Sequence, residues 1–204
     1  RWGSSVAVST ALARSLPVAS VVLPNPYDDA LFVELPEIAR DHELIFVGRL
    51  VSDKGVDVLI EALAHLQTRG LTPRLTIVGE GPESTPLKAL AYERGVQSQV
   101  QFVGAKTDLE LVRLLNQHRI LVVPSRWQEP FGLVALEGIA CGGVVVGSAG
   151  GGLPEAIGPC GVTVPNGNSA RLAEALADLL RHPAQWAGYR AQAPLPDRAI
   201  YDLK

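Results

Sequence analysis

The sequence predicts a Rossmann-like α/β domain, a parallel sheet covered by helices on both faces and joined by right-handed crossovers. Three observations carry this. Short apolar runs alternate with segments of helical period from residue 44 to about residue 181. The runs are β-branched and almost continuously hydrophobic, the pattern of strands buried on both faces. The composition, 47% hydrophobic and 19% charged over 204 residues, supports a sizeable core and excludes disorder as the main state.

Strands are expected at 44–50 (LIFVGRL), 74–79 (RLTIVG), 100–104 (VQFVG), 120–124 (ILVVP), 143–147 (GVVVG) and 162–165 (VTVP). Between them, residues 56–68 place Val58, Leu59, Ala62, Leu63 and Leu66 on one helical stripe. Residues 109–117 and 169–181 behave alike, the latter with Ser169 as its N-cap. The first 40 residues differ. A small apolar stretch at 4–16 and a strand at 18–23 end at the chain-breaking Pro24-Asn25-Pro26, as if one unit closed and a connector began. After His182-Pro183 one more helix is expected at 184–192, before Pro194 and Pro196.

Charge and composition narrow the partners. A net charge of −3 leaves no global basic field for a nucleic acid or an anionic membrane, so any anion site must be local. Two cysteines, Cys141 and Cys160, make neither a disulfide framework nor a metal site and suit a reducing, cytoplasmic setting. The longest uncharged stretch, 138–154, is too rich in glycine for a transmembrane helix, and no signal peptide is expected. With no Met and a start at Arg-Trp-Gly, the chain is expected to be a fragment or a processed form.

In open α/β sheets ligands bind where strands end and loops leave for the helices. In the first such loop, Gly48 to Gly55, Arg49 and Lys54 stand five residues apart, a fork and a point charge suited to two adjacent phosphates. A solvated loop with Arg49 paired to Asp53 fits the same spacing. The second, Gly79-Glu80-Gly81-Pro82, lacks the third glycine of a dinucleotide fingerprint and reads as a structural turn that can line a ligand edge. The third, from Glu129 to Glu137, is the most specific. Pro130 is expected to open a helix, so that the amides of Phe131, Gly132 and Leu133 face an anion. Glu129 precedes that helix, and Glu137 lies two turns into it among apolar neighbours, where a carboxylate needs a partner. The fourth, Gly150-Gly151-Gly152-Leu153-Pro154-Glu155, reads as structural when taken alone. His42, His65, His118 and His182 are scattered and are expected at the surface or at caps, Cys141 as a small buried apolar residue, and Trp127 either against a sugar or on the surface.

These loops, in this order, resemble the C-terminal, donor-binding half of retaining glycosyltransferases of the GT-B fold, family 4. The resemblance runs over residues 21–182 and rests on Gly48-Arg49, Lys54-Gly55, the Gly79 turn, Pro124-Ser125, the Glu129/Glu137 pair and Gly151-Gly152-Leu153-Pro154-Glu155. It implies that residues 1–23 are the remnant of an N-terminal domain and 24–40 the interdomain connector. It makes 41–182 the nucleotide-sugar domain and 183–204 a truncated helical tail. It further implies a UDP-, GDP- or ADP-sugar donor, with Arg49 and Lys54 on the diphosphate and the amides following Pro130 on the distal phosphate. Glu137 would hold the ribose, Glu129 the transferred sugar, and the loop at Ala105-Lys106, with Gly48 and Gly79, would line the donor. Such enzymes retain anomeric configuration without an obligatory metal or other cofactor and act on sugar, lipid or polysaccharide acceptors, in the cytoplasm or at the inner membrane face. An N-terminal domain completes the acceptor pocket, so the isolated chain is expected to bind donor weakly and not turn over. Another GT-B nucleotide-sugar enzyme of epimerase type and a non-catalytic nucleotide-binding domain remain as alternatives.

Overall fold

A computed structural model describes residues 5–193. Its centre is an all-parallel sheet of six strands in the order β5-β4-β3-β6-β7-β8. The strands are β3 (His42–Val47), β4 (Leu75–Val78), β5 (Val100–Phe102), β6 (His118–Val123), β7 (Val144–Ser148) and β8 (Gly161–Val164). The chain winds outward from β3 to β5, returns to pair β6 against β3, then winds outward the other way. That reversal opens a crevice between the loops leaving β3 and β6, the switch point where such sheets take ligands.

Both faces are covered. Side chains alternate along each strand. Leu44, Phe46, Ile120, Val122, Val144 and Val146 meet α2 (Val56–Gln67), α3 (Ser84–Glu93) and α7 (Ser169–Arg181). Ile45, Leu121, Val123 and Val145 meet α4 (Asp108–Gln117), α5 (Leu133–Ala140) and α6 (Leu153–Ile157) on the other face. The stripe expected on α2 is fully buried, with Leu59, Ala62, Leu63 and Leu66 at 0% exposure. The later part of the 24–40 stretch is clamped to α4 and β6 at Val33, Leu35 and Arg40. The Arg40 guanidinium donates to the carbonyls of Leu115 and His118 at 3.1 and 2.6 Å, and buried Asn116 binds the backbone of Val33 and Leu35.

Several boundaries depart from expectation, each for a local reason. The N-cap of α7 is Asn168, whose side chain accepts the Arg171 amide at 3.0 Å, so Ser169 is the first helical residue. Helix α5 starts at Leu133 and not at Pro130, because the backbone of Glu129 is drawn into an isolated β-bridge with Gly151. Pro82 lies in the turn ahead of α3. A helix the sequence did not announce, α1 (Thr10–Ser15), lies between β1 (Ser5–Ala7) and β2 (Ser20–Val22), which pair in parallel as a separate small sheet. After α7, α8 (Ala184–Arg190) ends two residues before its expected limit, and the rest of the proposed tail, with Pro194 and Pro196, lies outside the described residues.

Candidate functional site

Two adjoining cavities run across the C-terminal ends of the strands and share Val47 and Gly48. One, of about 330 Å³, is lined by Lys54, Ser125, Glu129 and the run from Pro130 to Leu133. The other, of about 260 Å³, is lined by Arg49, Gly79, Glu80, Ala105 and Lys106. Every residue singled out for the donor except Glu137 therefore lines one continuous groove at the switch point.

The Lys54 half is set before any ligand arrives. The short 3₁₀ turn Ser52–Lys54 hands Lys54 towards β6, and the Asp53 carbonyl accepts the amides of Arg126 and Trp127 at 2.9 and 3.3 Å. Gly55, at φ +68°, brings the chain so close that a Cβ would stand 2.1 Å from the Pro124 carbonyl oxygen. The Lys54 ammonium then donates to Glu129 Oε1 at 2.6 Å, and the buried Ser125 hydroxyl donates to the same oxygen at 2.6 Å. Glu129 is only 8% exposed, and among the described residues its Oε2 has no hydrogen-bond partner. A carboxylate with one oxygen doubly held and the other open is a fixed acceptor aimed at hydroxyls. The role of Ser125 escaped the sequence reading; the signal was a small hydroxyl residue four positions before Glu129, at the end of a buried strand.

In the Arg49 half, loops pack tightly while charges stay open. A Cβ on Gly79 would lie 1.8 Å from the Gly48 carbonyl oxygen, so the two turns touch backbone to backbone. The pairing of Arg49 with Asp53 does not form; Arg49 is exposed and, among the described residues, has no ion pair. Lys106 pairs with Glu110 at 3.3 Å.

The anion end differs in detail from expectation. With α5 beginning at Leu133 behind Gly132, the leading helical amides belong to Leu133 and Val134, and that of Phe131 lies upstream in the loop. Glu137, in the second turn, is half-buried and without a partner among the described residues; burial raises its carboxyl above the ordinary value. The partner expected for it is not supplied by the described residues. Trp127 is 59% exposed and lines neither cavity. The fourth loop does more than turn the chain, because Gly151 bridges Glu129 and the Gly152 amide donates to the Glu129 carbonyl at 2.7 Å.

The remaining residues singled out by sequence sit elsewhere. His118 is buried rather than at the surface, and of the two places expected it takes the capping one, as the C-cap of α4. Cys141 is fully buried, and burial pushes its thiol up to about 12. A larger cavity of about 540 Å³ lies between residues 27–34 and α5, with the Arg190–Glu34 ion pair on its rim and none of the groove residues in its wall. Among the described residues, no three His, Cys, Asp or Glu side chains are grouped to hold a metal ion, and no helix is long and apolar enough to cross a membrane.

A doubly wound parallel sheet with a cation- and amide-lined groove at its switch point defines a Rossmann-like α/β domain with a candidate site for an anionic ligand. The family model described as "Glycosyl transferases group 1" matches residues 29–194, and the chain belongs to that family. It is 42% identical over 153 residues to the glycogen synthase of Mycobacterium tuberculosis (strain CDC 1551 / Oshkosh), covering 74% of this chain and 36% of that protein. It is also 42% identical over 143 residues to the D-inositol 3-phosphate glycosyltransferase of Corynebacterium aurimucosum, covering 66% and 34%. The chain thus spans about a third of the length of the curated relatives it matches. In fold it is similar to Anabaena HepE, solved in complex with UDP (TM-score 0.81, 23% identity, 93% of this chain and 57% of that one). It is likewise similar to the sucrose-phosphate synthase of Thermosynechococcus elongatus (TM-score 0.78, 28% identity, 92% and 51%).

Proposed function

We propose that this chain is the donor-binding domain of a retaining, metal-independent family 4 glycosyltransferase that takes a nucleotide-diphosphate sugar. The observation that supports this most is the Lys54–Glu129–Ser125 cluster set beside an open Arg49 in one groove. In this reading Arg49 and Lys54 straddle the diphosphate, and the leading amides of α5 take the distal phosphate. Glu137 accepts the ribose hydroxyls, which supply its missing partner, and the Ala105-Lys106 loop meets the base through backbone. The free Oε2 of Glu129 holds hydroxyls of the transferred sugar.

As the bond from the anomeric carbon to the diphosphate breaks, negative charge grows on the leaving oxygens. The fixed cations and amides stabilise that charge without reorganising. The acceptor oxygen bonds to the anomeric carbon on the same face, and its proton passes to a leaving-group oxygen. Glu129 stabilises and positions, and no second carboxylate acts as in glycosidases. HepE was solved with UDP and with UDP-glucose, which favours a nucleotide sugar here as well. Residues 1–23 belong, in this proposal, to an N-terminal domain that supplies the acceptor site, residues 24–40 to the connector and 183–204 to a closing tail. The acceptor is a sugar, lipid or polysaccharide. Cys141 and Cys160, both buried free thiols, suit a cytoplasmic protein.

Calorimetric titration of the full-length protein with UDP-, GDP- and ADP-glucose, beside an Arg49→Ala/Lys54→Ala variant, tests the reading. The expected result is binding of one nucleotide class that the double variant loses. A folded protein that binds none of the three, or binds one equally well without both cations, overturns it.

A further inference from the structure

The backbone that carries Glu129 is gripped from outside the sheet. Ser9, at 0% exposure, donates its hydroxyl to the Pro130 carbonyl at 2.6 Å and accepts the Leu12 amide at 3.1 Å as the N-cap of α1. The Glu155 carboxylate takes the first two amides of that helix, Thr10 at 2.8 Å and Ala11 at 2.9 Å. Burial pushes the Glu155 carboxyl up, yet hydrogen bonds from Thr10 and Ala11 outweigh it and hold the group below its ordinary value. Glu155 follows directly from the loop whose Gly151 and Gly152 pin the backbone of Glu129. Neither Ser9 nor Glu155 lines the groove.

We infer that Ser9 and Glu155 are positioning residues. Together they tie α1 to the Glu129–Pro130 segment, so that the aim of the Glu129 carboxylate depends on where the 5–22 segment sits. The side chain of Glu129 is already held by Lys54 and Ser125. Its backbone is held by the 150–152 loop on one side and, through Pro130, by Ser9 on the other. A carbonyl that loses a buried donor relaxes to find another, and a shift of a fraction of an ångström at Glu129 misplaces the sugar more than the nucleotide. The effect is therefore on turnover, with nucleotide affinity spared.

This inference rests on the donor-site reading, and the experiment separates the two. Ser9→Ala and Glu155→Gln are made in the full-length protein. Binding of UDP, GDP and ADP is measured by calorimetry, and release of glucose from the matching nucleotide sugar is measured per titrated binding site. The expected result is a fall in kcat of about 10-fold for Ser9→Ala and a smaller fall for Glu155→Gln, whose side chain keeps one acceptor oxygen, with Kd within about twofold of the unaltered protein. An unchanged kcat per site in both variants overturns the inference. So does a parallel loss of kcat and Kd with a lowered melting temperature, which marks a contact that only supports the fold. If one variant fails to fold, the other decides. If the unaltered protein binds none of the nucleotides, the donor reading fails and this inference falls with it.

Discussion

The two ends of the sheet treat polar groups in opposite ways. At the end where β6 begins, His118 Nδ1 meets the Leu114 carbonyl at 2.6 Å and Nε2 meets the Thr76 hydroxyl at 2.8 Å. Beside it Asn116 and Arg40 bind the carbonyls around them. Where β6 ends, Arg49, Glu137, Glu129 Oε2 and the first amides of α5 have no partner among the described residues. Arg49 is exposed and Glu137 half-buried, so these groups are open to solvent, and their convergence in and beside one groove marks where a ligand would complete the structure. Gln99 Oε1, buried and unpartnered before β5, is an isolated exception with no such cluster around it.

The sharpest way to break this contrast is at Glu129. Glu129→Ala is expected to lower sugar transfer by about 10²–10³-fold, the scale seen when a preorganised electrostatic group is removed. The nucleoside diphosphate should still bind, since Arg49 and the α5 amides remain. Transfer rates and nucleotide Kd measured on the same preparation check this. Equal losses in both would mean that Glu129 holds the nucleotide instead of the sugar.

Arg49 and Lys54 sharpen the comparison within the groove. Each charged contact to a phosphate contributes about 1.5–3 kcal/mol, so either alanine variant should weaken nucleotide binding roughly 10- to 100-fold. They should part company in turnover. Both stabilise the leaving diphosphate and both should lower kcat, but Lys54→Ala also frees Glu129 Oε1 from one of its two donors and is expected to lower kcat further than Arg49→Ala does. Steady-state kinetics at saturating donor decides, and equal kcat in the two variants would refute the preset role of Lys54.

What the sequence could announce follows the same divide. Continuous β-branched runs name strands because burial on both faces leaves no other solution, and the stripe on α2 was legible from spacing alone. The groove residues were legible because loops at strand ends converge at the switch point. The start of α5 was not, since it depends on Glu129 pairing with Gly151, twenty-two residues away. Nor was α1, whose six residues are too short for a periodic signal and whose first amides are capped from Ser9 and Glu155. Local pattern fixes elements, while the geometry of Glu129 comes from contacts remote in the chain.

The smallest effect on nucleotide binding is expected at the satisfied end. A carbonyl can only accept, so the Leu114 contact puts the proton of neutral His118 on Nδ1, leaving Nε2 to accept from Thr76. Burial drives the imidazole down to about 4, against the pull of the Leu114 carbonyl and with help from His42 and Arg40. The unfolded chain therefore binds more protons between pH 6.5 and about 4, and stability falls as pH falls through that window. The full loss amounts to about 3 kcal/mol once pH is below the folded value. Urea midpoints measured from pH 7 to pH 4 should decline in the unaltered protein and decline less in His118→Gln. Nucleotide affinity at pH 7 should be the same in both, because His118 opens the strand whose far end reaches the groove. A flat urea profile, or nucleotide binding that follows His118, would show that the two ends are not independent.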